Sequence, residues 1–209
     1  MSIIITGFEP FGGDKTNPSE QVAKQLNGLN INGEVVSSLI LPVQAESAFN
    51  KVQEAMTKLQ PKVIVLLGLA AGRAFITPER VAINISDYPI KDNGGAQPID
   101  SAIIENGENA YFSSLPIKAI TSALNESNIP TRVSNSAGTY VCNDLFYRVL
   151  HAVQGIDVKC GFIHIPMSQS TNKNLPYLPL AQIINGITLS VEVSLRVTKD
   201  VRVSFGTIA

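Results

Sequence analysis

Short runs of apolar residues recur along the chain and are bounded by turn residues. Such runs are typical of buried strands, because a strand that is covered on both faces has no solvent side to carry polar residues. The segments that share this pattern are 3–6, 35–43, 63–68, 81–85, 131–134 and 159–165. They predict a sheet with both faces covered.

Apolar residues at helical spacing fill most of the intervals between these runs. The segments with this spacing are 18–26, 45–59, 115–124 and 141–153. Asn17 is the expected N-cap of the first helix, Pro18 occupies its first position, and Pro61 follows the end of the second helix. Strands that alternate with helices predict an α/β layered fold with a mainly parallel sheet.

The C-terminal region carries two patterns at once. Apolar residues recur at helical spacing from 180 to 195, whereas residues 189–197 alternate strictly between apolar and polar, as in a strand. The length without a turn signal other than Gly186 favours a helix over 178–198. A strand over 188–198 is the alternative that the pattern leaves open.

No internal repeat, low-complexity tract or linker divides the chain, so a single domain over 1–209 is expected. The loop 86–100 is rich in Asp, Pro, Gly and Asn, and it is long enough for a functional lid or a subunit contact. Function therefore has to be sought within one folded unit.

Composition excludes several classes of function. A net charge of −1 without a Lys/Arg cluster offers no surface for nucleic acid or an anionic membrane. No apolar stretch approaches the roughly 20 residues that span a bilayer. The residues after Met1 read as a strand and not as a signal peptide, so a cytoplasmic location is expected. Two cysteines and two histidines, without a CxxC pair, suggest neither a disulfide framework nor a metal site.

Cys142 stands at the start of the helix predicted over 141–153, directly after a turn that contains Gly138. Backbone N–H groups at a helix start are unpaired and the helix dipole is positive there, so the thiol is expected to ionise easily. The sequence therefore marks Cys142 as a candidate nucleophile. The competing interpretation is an inert buried thiol, which is common for free cysteines.

A cysteine nucleophile needs a base, and the chain has His151 and His164. Cys142 and His151 lie nine residues apart in one helix, about 13 to 14 Å. Cys160 and His164 lie four residues apart in one strand, about 13 Å. Cys160 with His151 is not excluded, but this thiol lacks a helix start. Cys142 with His164 is favoured, because helix starts and the carboxyl ends of parallel strands share one sheet edge.

A carboxylate should hold the imidazole in the tautomer that accepts the thiol proton. Glu79 is the best candidate, because it lies directly before a predicted strand and so near the sheet edge. A surface ion pair between Glu79 and Arg80 is the competing interpretation. Spacing does not eliminate Asp87, Asp92 and Asp100 as rivals.

The loop 6–13 follows the first predicted strand and carries Phe8 and Phe11 among Gly and Pro residues. Its spacing matches neither the dinucleotide-binding nor the phosphate-loop motif. The two rings are suited to wall a small apolar pocket, although loop aromatics also serve simply to cover a core.

Several longer motifs occur in order over nearly the whole chain. They are TGFEPFGG at 6–13 with NPS at 17–19, GLAAGR at 68–73, PERVAIN at 78–84, DN at 92–93, AYFS at 110–113 with LPIKA at 115–119, SAGTYVCN at 136–143 and GFIHIP at 161–166. In this set the chain resembles the type I pyroglutamyl peptidases, also called pyrrolidone carboxyl peptidases. A series of long motifs is more specific than any short motif alone.

The resemblance implies a cysteine peptidase that removes an N-terminal pyroglutamyl residue from peptides, with Glu79, Cys142 and His164 as its triad. It also implies a three-layer α/β/α sandwich with a mainly parallel twisted sheet, no metal or cofactor, and a homotetramer. Two alternatives stay open: a cysteine amidase or esterase for another lactam or acyl group, and a non-catalytic binding protein of the same fold.

For substrate binding, the resemblance places Phe8 and Phe11 on either side of the lactam ring and Val141 beside it. The backbone carbonyl of Leu69 would accept the lactam N–H, and Asn17 matches a position near the same pocket.

One departure from the family pattern concerns the segment 89–93, Pro-Ile-Lys-Asp-Asn, where the family usually has Arg-Ile-Pro-Asp-Asn. An Arg associated with oxyanion stabilisation is thus replaced by Pro89. Lys91 or another group brought in by the fold would have to take its place.

Overall fold

The computed structural model describes residues 2–169 and 175–208, in which strands and helices alternate. The strands are β1 (Ser2–Phe8), β2 (Asn30–Ile31), β3 (Glu34–Leu41), β4 (Val63–Leu69), β5 (Thr77–Pro78), β6 (Val81–Ile83), β7 (Ala110–Phe112) and β8 (Lys159–Ile165). The helices are α1 (Pro18–Leu26), α2 (Ala45–Leu59), α3 (Ile117–Glu126), α4 (Val141–Ala152) and α5 (Leu180–Arg196). The alternation confirms the α/β class.

The main sheet has the strand order β2-β3-β1-β4-β8-β5. The pairs β3/β1, β1/β4 and β4/β8 are parallel, and the short strands β2 and β5 join antiparallel at the two sides. The sheet is therefore mainly parallel, as the continuous apolar runs predict. The carboxyl ends of β1, β4 and β8 consequently meet at one edge.

Helices cover both faces of this sheet. Along β8, Ile163 and Ile165 belong to the apolar cluster formed with α1, α3 and α5, whereas Cys160 and Phe162 belong to the cluster formed with α2 and α4. Alternate residues of a strand point to opposite faces, so one strand contributes to both clusters. The result is the expected three-layer α/β/α sandwich.

Helix α1 begins as the sequence predicts. The Asn17 side-chain oxygen accepts hydrogen bonds from the Ser19 N–H at 3.0 Å and the Ser19 hydroxyl at 2.8 Å, and Pro18 is the first helical residue. An N-cap oxygen satisfies one of the four N–H groups that a helix start leaves unpaired.

The C-terminal segment is a helix, so the alternative of a strand over 188–198 is wrong. Ile183, Ile187 and Val191 lie fully buried against the sheet and the other helices of that face. A helix buries this stripe on a single side, whereas a strand would divide it between two faces. No helix among the described residues has the length and apolar character needed to cross a membrane.

Two predicted strands differ from expectation. The run at 81–85 forms the shorter strand β6, which pairs with β7 outside the main sheet. The run at 131–134 forms only the isolated bridges Ile76 to Thr131 and Glu79 to Ser134. Pro78 in the facing segment has no N–H to donate, so a continuous ladder cannot form there.

Candidate active site

A cavity of about 240 Å³ opens at the carboxyl edge of the sheet, between the loops that follow β1 and β4 and the start of α4. Its walls are mainly apolar. The residues that line it are Phe8, Phe11, Asn17, Val43, Leu69, Ala70, Arg73, Ala137, Gly138, Tyr140, Cys142 and His164. The cavity thus brings together residues from segments that are distant in sequence, among them both members of the favoured thiol and imidazole pair.

Cys142 is the second residue of α4, and its sulfur packs on the sheet above Gly68. A Cβ placed on Gly68 would lie 3.0 Å from the Cys142 Sγ. Gly68 pairs in register with His164 of the neighbouring strand β8. Because paired residues of parallel strands present their side chains to the same face, the His164 ring and the Cys142 sulfur occupy adjacent places on that face.

The His164 ring is bound to Glu79. Its Nδ1 lies 2.7 Å from the Glu79 Oε1, and both side chains are buried. The main-chain N–H of Glu79 donates to the Phe162 carbonyl at 2.9 Å, which anchors the carboxylate beside β8. An N–H at Nδ1 that donates to the carboxylate leaves Nε2 as the ring's acceptor.

Arg73 also binds Glu79. Its Nη1 donates to the Glu79 Oε1 at 2.8 Å and to the Thr77 hydroxyl at 2.7 Å. Arg80 donates instead to Asn135, at 2.7 Å. The interpretation of Glu79 as a surface carboxylate paired with Arg80 is therefore wrong.

The Cys142 thiol ionises less easily than its place at a helix start predicts. Burial raises its pKa to about 12, the Glu79 carboxylate adds to the rise, and Arg73 opposes it. The expectation of an easily ionised thiol is wrong because it considered the local helix start and not the desolvation that tertiary packing imposes. The sulfur holds its proton until a base removes it.

Most residues proposed to bind substrate lie at the cavity. Phe8, Phe11 and Leu69 line it, and so does Asn17, whose amide oxygen caps α1 and whose amide nitrogen donates to the backbone of the same loop. Val141 is buried in the apolar cluster of that face and is not a lining residue.

The segment that departs from the family pattern does not reach the cavity. Pro89 and Lys91 are exposed and do not line it, and the Lys91 carbonyl accepts a hydrogen bond from the Tyr140 hydroxyl at 3.1 Å. The loop is attached to the cavity wall further on, where the Asn93 main-chain N–H donates to the carbonyl of the lining residue Val43 at 2.9 Å.

The alternative pair, Cys160 with His151, is not brought together at a cleft. Cys160 is fully buried in the sheet, and burial raises its pKa. His151 is exposed on α4, where its Nδ1 lies 2.9 Å from the Tyr111 hydroxyl. Neither residue lines the cavity.

Sequence reasoning missed Arg73 and Tyr140 as cavity residues. Both lie inside quoted motifs, GLAAGR and SAGTYVCN, so their membership in a motif was the available signal. Among the described residues, no group of three or more His, Cys, Asp and Glu side chains is placed to hold a metal ion.

Comparison with known proteins gives consistent matches over the whole fold. Residues 1–197 match the model of the pyroglutamyl peptidase family. The pyrrolidone-carboxylate peptidase of Vibrio parahaemolyticus is 48% identical over 208 residues, covering 99% of this chain and 98% of that protein. That of Bacillus cytotoxicus is 45% identical, covering 96% and 95%.

Comparison with solved structures leads to the same family. The pyroglutamyl peptidase I of Bacillus amyloliquefaciens superposes with a TM-score of 0.92 at 38% identity, over 96% of this chain and 99% of that one. The pyrrolidone carboxyl peptidase of Thermococcus litoralis gives 0.90 at 42% identity, over 93% of each chain. On the family match and these relatives, the chain belongs to the pyroglutamyl peptidase family.

Proposed function

We propose that this protein is a cysteine peptidase that hydrolyses the amide bond after an N-terminal pyroglutamyl residue and releases free pyroglutamate. The observation that carries the proposal is the buried contact of 2.7 Å between the His164 Nδ1 and the Glu79 Oε1, beside a cavity that also contains Cys142. The names of the relatives supply the substrate class.

The reaction begins with proton transfer. Because the pKa of the Cys142 thiol is about 12, His164 acts as a general base and takes the thiol proton at Nε2 as the sulfur attacks. Glu79 keeps the ring in the tautomer with hydrogen at Nδ1 and stabilises the imidazolium that forms.

The thiolate then attacks the carbonyl carbon that joins pyroglutamate to the next residue. Helix α4 has no side-chain hydrogen bond at its N-cap, Tyr140, and we propose that backbone N–H groups of its first turn donate to the developing oxyanion. As the C–N bond breaks, His164 returns its proton to the leaving amine. Water, deprotonated by the same ring, cleaves the thioester and frees pyroglutamate and the thiol.

The cavity suits a neutral lactam. Pyroglutamate has no ammonium group, so an anionic anchor of the kind used by ordinary aminopeptidases would have no partner. Phe8 and Phe11 supply apolar walls, and we propose that the Leu69 carbonyl accepts the lactam N–H. Val141 supports this wall from the buried layer behind it.

The test compares pyroglutamyl, prolyl and glutamyl anilides as chromogenic substrates. Hydrolysis of the pyroglutamyl compound alone, lost in Cys142→Ser and after thiol alkylation, supports the proposal. Prolyl hydrolysis at an equal rate would instead identify a broader amidase, because a site built around lactam hydrogen bonds rejects an analogue that lacks them by about 10⁴-fold. No turnover by folded protein would indicate a binding protein.

From the resemblance we also propose one catalytic domain over 1–209, a cytoplasmic location and a homotetramer. Light scattering on the purified protein tests the assembly, since a tetramer has four times the mass of one chain.

A further inference from the structure

Arg73 is the group that links the cavity to the buried carboxylate. It is one-third exposed, whereas Glu79 has no exposed side-chain surface. Besides its contacts with Glu79 and Thr77, its Nη2 lies 3.4 Å from the Ser136 carbonyl, in the segment that precedes α4. Among the described residues that line the cavity, Arg73 is the only one with a permanent positive charge.

The buried carboxylate needs this charge. Removing a carboxylate from water is costly unless a cation compensates it. His164 cannot be the compensating cation before the reaction, because a base must be neutral to accept a proton. Oε2 of Glu79 is buried without a hydrogen-bond partner among the described residues, so Oε1 carries the contacts to both Arg73 and His164.

Thr77 holds the two ends of this arrangement together. The Thr77 hydroxyl accepts a hydrogen bond from the Arg73 Nη1 at 2.7 Å and donates one to the His164 carbonyl at 3.3 Å. Thr77 also pairs in register with His164 in the sheet. The guanidinium is thus fixed to the strand that carries the base. A cation held in this way acts on the orientation of the carboxylate as well as on its charge.

We propose that Arg73 is a positioning residue: its guanidinium compensates the buried charge of Glu79, holds that carboxylate directed at His164, and so controls proton exchange between Cys142 and His164. The inference rests on the proposed peptidase function for its kinetic readout. Arg73 lies at the cavity, whereas the exposed Lys91 does not line it.

The direction of the effect follows from the charges. The titratable groups at the cavity are Cys142 and Tyr140 at the start of α4, Arg73 after β4, and His164 with Glu79 behind it. Burial raises the pKa of Tyr140 above its usual 10.0, so this hydroxyl stays protonated in the range of interest. Arg73 lowers the pKa of the Cys142 thiol, so loss of its positive charge raises that pKa.

The experiment compares Arg73→Gln, Arg73→Lys and wild type, with Arg80→Gln as the matched control. Arg80 is equally cationic and follows Glu79 directly, but it binds Asn135 on the surface. For Arg73→Gln, kcat/KM for a pyroglutamyl anilide is expected to fall about 100-fold, with the pH profile displaced to higher pH because the pKa of the Cys142 thiol rises. Arg73→Lys should restore the pH profile, and Arg80→Gln should match wild type.

Alkylation of Cys142 by iodoacetamide gives a second readout that needs no turnover. At each pH below the thiol pKa, Arg73→Gln should react more slowly than wild type by a factor of about ten, which is the ratio for a pKa one unit higher. Mass spectrometry identifies the modified cysteine, and circular dichroism shows that each variant is folded.

An unshifted pH profile and an unchanged alkylation rate in folded Arg73→Gln would overturn the inference, as would a loss of activity that Arg73→Lys does not relieve. If wild type and Arg80→Gln fail to hydrolyse the anilide, the proposed function is wrong. The alkylation rates then still decide whether Arg73 controls the thiol.

Discussion

Replacing Gly68 with alanine would place a methyl group where the Cys142 sulfur and the Phe162 ring now lie. The added Cβ would approach the Phe162 Cζ to 2.8 Å, its Cε1 to 2.9 Å and the Cys142 Sγ to 3.0 Å. Gly68 is not among the residues with positive φ, so the backbone itself accepts alanine. The substitution therefore acts only by crowding the Cys142 sulfur and the Phe162 ring.

Two consequences of different size follow. Overpacking of a tight core costs about 1 to 3 kcal/mol, and each kcal/mol lowers the Tm of a domain of this length by about 2 to 4 °C. The sulfur or the ring must move by a few tenths of an ångström or more, and a displacement of about 1 Å in a catalytic group can cost about 100-fold in rate. We expect kcat/KM to fall by about 10-fold to 100-fold.

The assay measures kcat/KM for a pyroglutamyl anilide per folded molecule, together with thermal unfolding, for Gly68→Ala and Gly161→Ala. Gly161 lies on β8 with its side facing away from Cys142, and a Cβ there would lie 2.4 Å from the Ser113 Oγ. This control overpacks the opposite face of the same sheet. It should lose stability and keep its activity.

Full activity in folded Gly68→Ala would refute the reasoning that Gly68 makes room for the thiol. An equal loss of activity in both variants would show that general destabilisation, and not the position of the sulfur, causes the effect.

Three further predictions follow from single side chains. Burial raises the pKa of Cys160 above its ordinary 9.0, so the unfolded thiol loses its proton above about pH 9 while the folded one keeps it. The free energy of unfolding therefore falls above about pH 9 by about 1.4 kcal/mol per pH unit. Cys160→Ala should reduce this decline when unfolding by urea is measured from pH 8 to 10.5. Equal slopes of unfolding free energy against pH in both proteins would contradict the prediction. Asn17→Ala removes the cap of α1 and should lower the free energy of unfolding by about 1 kcal/mol. It should also raise KM, because the Asn17 amide donates a hydrogen bond to the Glu9 carbonyl beside the cavity. An unchanged Tm would count against the prediction. Lys91→Ala should leave kcat/KM within about twofold of wild type, because a surface change rarely perturbs a site that it does not touch. A larger loss would indicate that Lys91 takes part in the reaction.

Spacing and the position of a helix start favoured one candidate base, but they did not single out its carboxylate partner. Rise per residue excludes the two pairs within one element. Of the other two pairs, Cys142 with His164 was favoured because Cys160 lacks a helix start. Glu79 had three rivals at this level of reasoning. Its proximity to His164 depends on the antiparallel pairing of β5 with β8, which involves residues more than 80 positions apart.

Local patterns in the sequence predicted neither the contacts of Arg73 nor the raised pKa of the Cys142 thiol. The contacts of Arg73 depend on how the loop after β4 turns toward Glu79 and Ser136. The pKa of Cys142 depends on desolvation by the packing around it, and this outweighs the helix start that the local sequence reveals.

The sequence by itself determined the layers of this protein, because the periods of strands and helices are local properties of adjacent residues. It also determined where α1 begins, through the N-cap Asn17 and the first helical residue Pro18. Only the tertiary structure decided that α5 (Leu180–Arg196) is a helix, that 81–85 leaves the main sheet, and that Arg73 and His164 both contact Glu79. These outcomes depend on which distant segments exclude water from one another, and no short window of sequence contains both partners of such a contact.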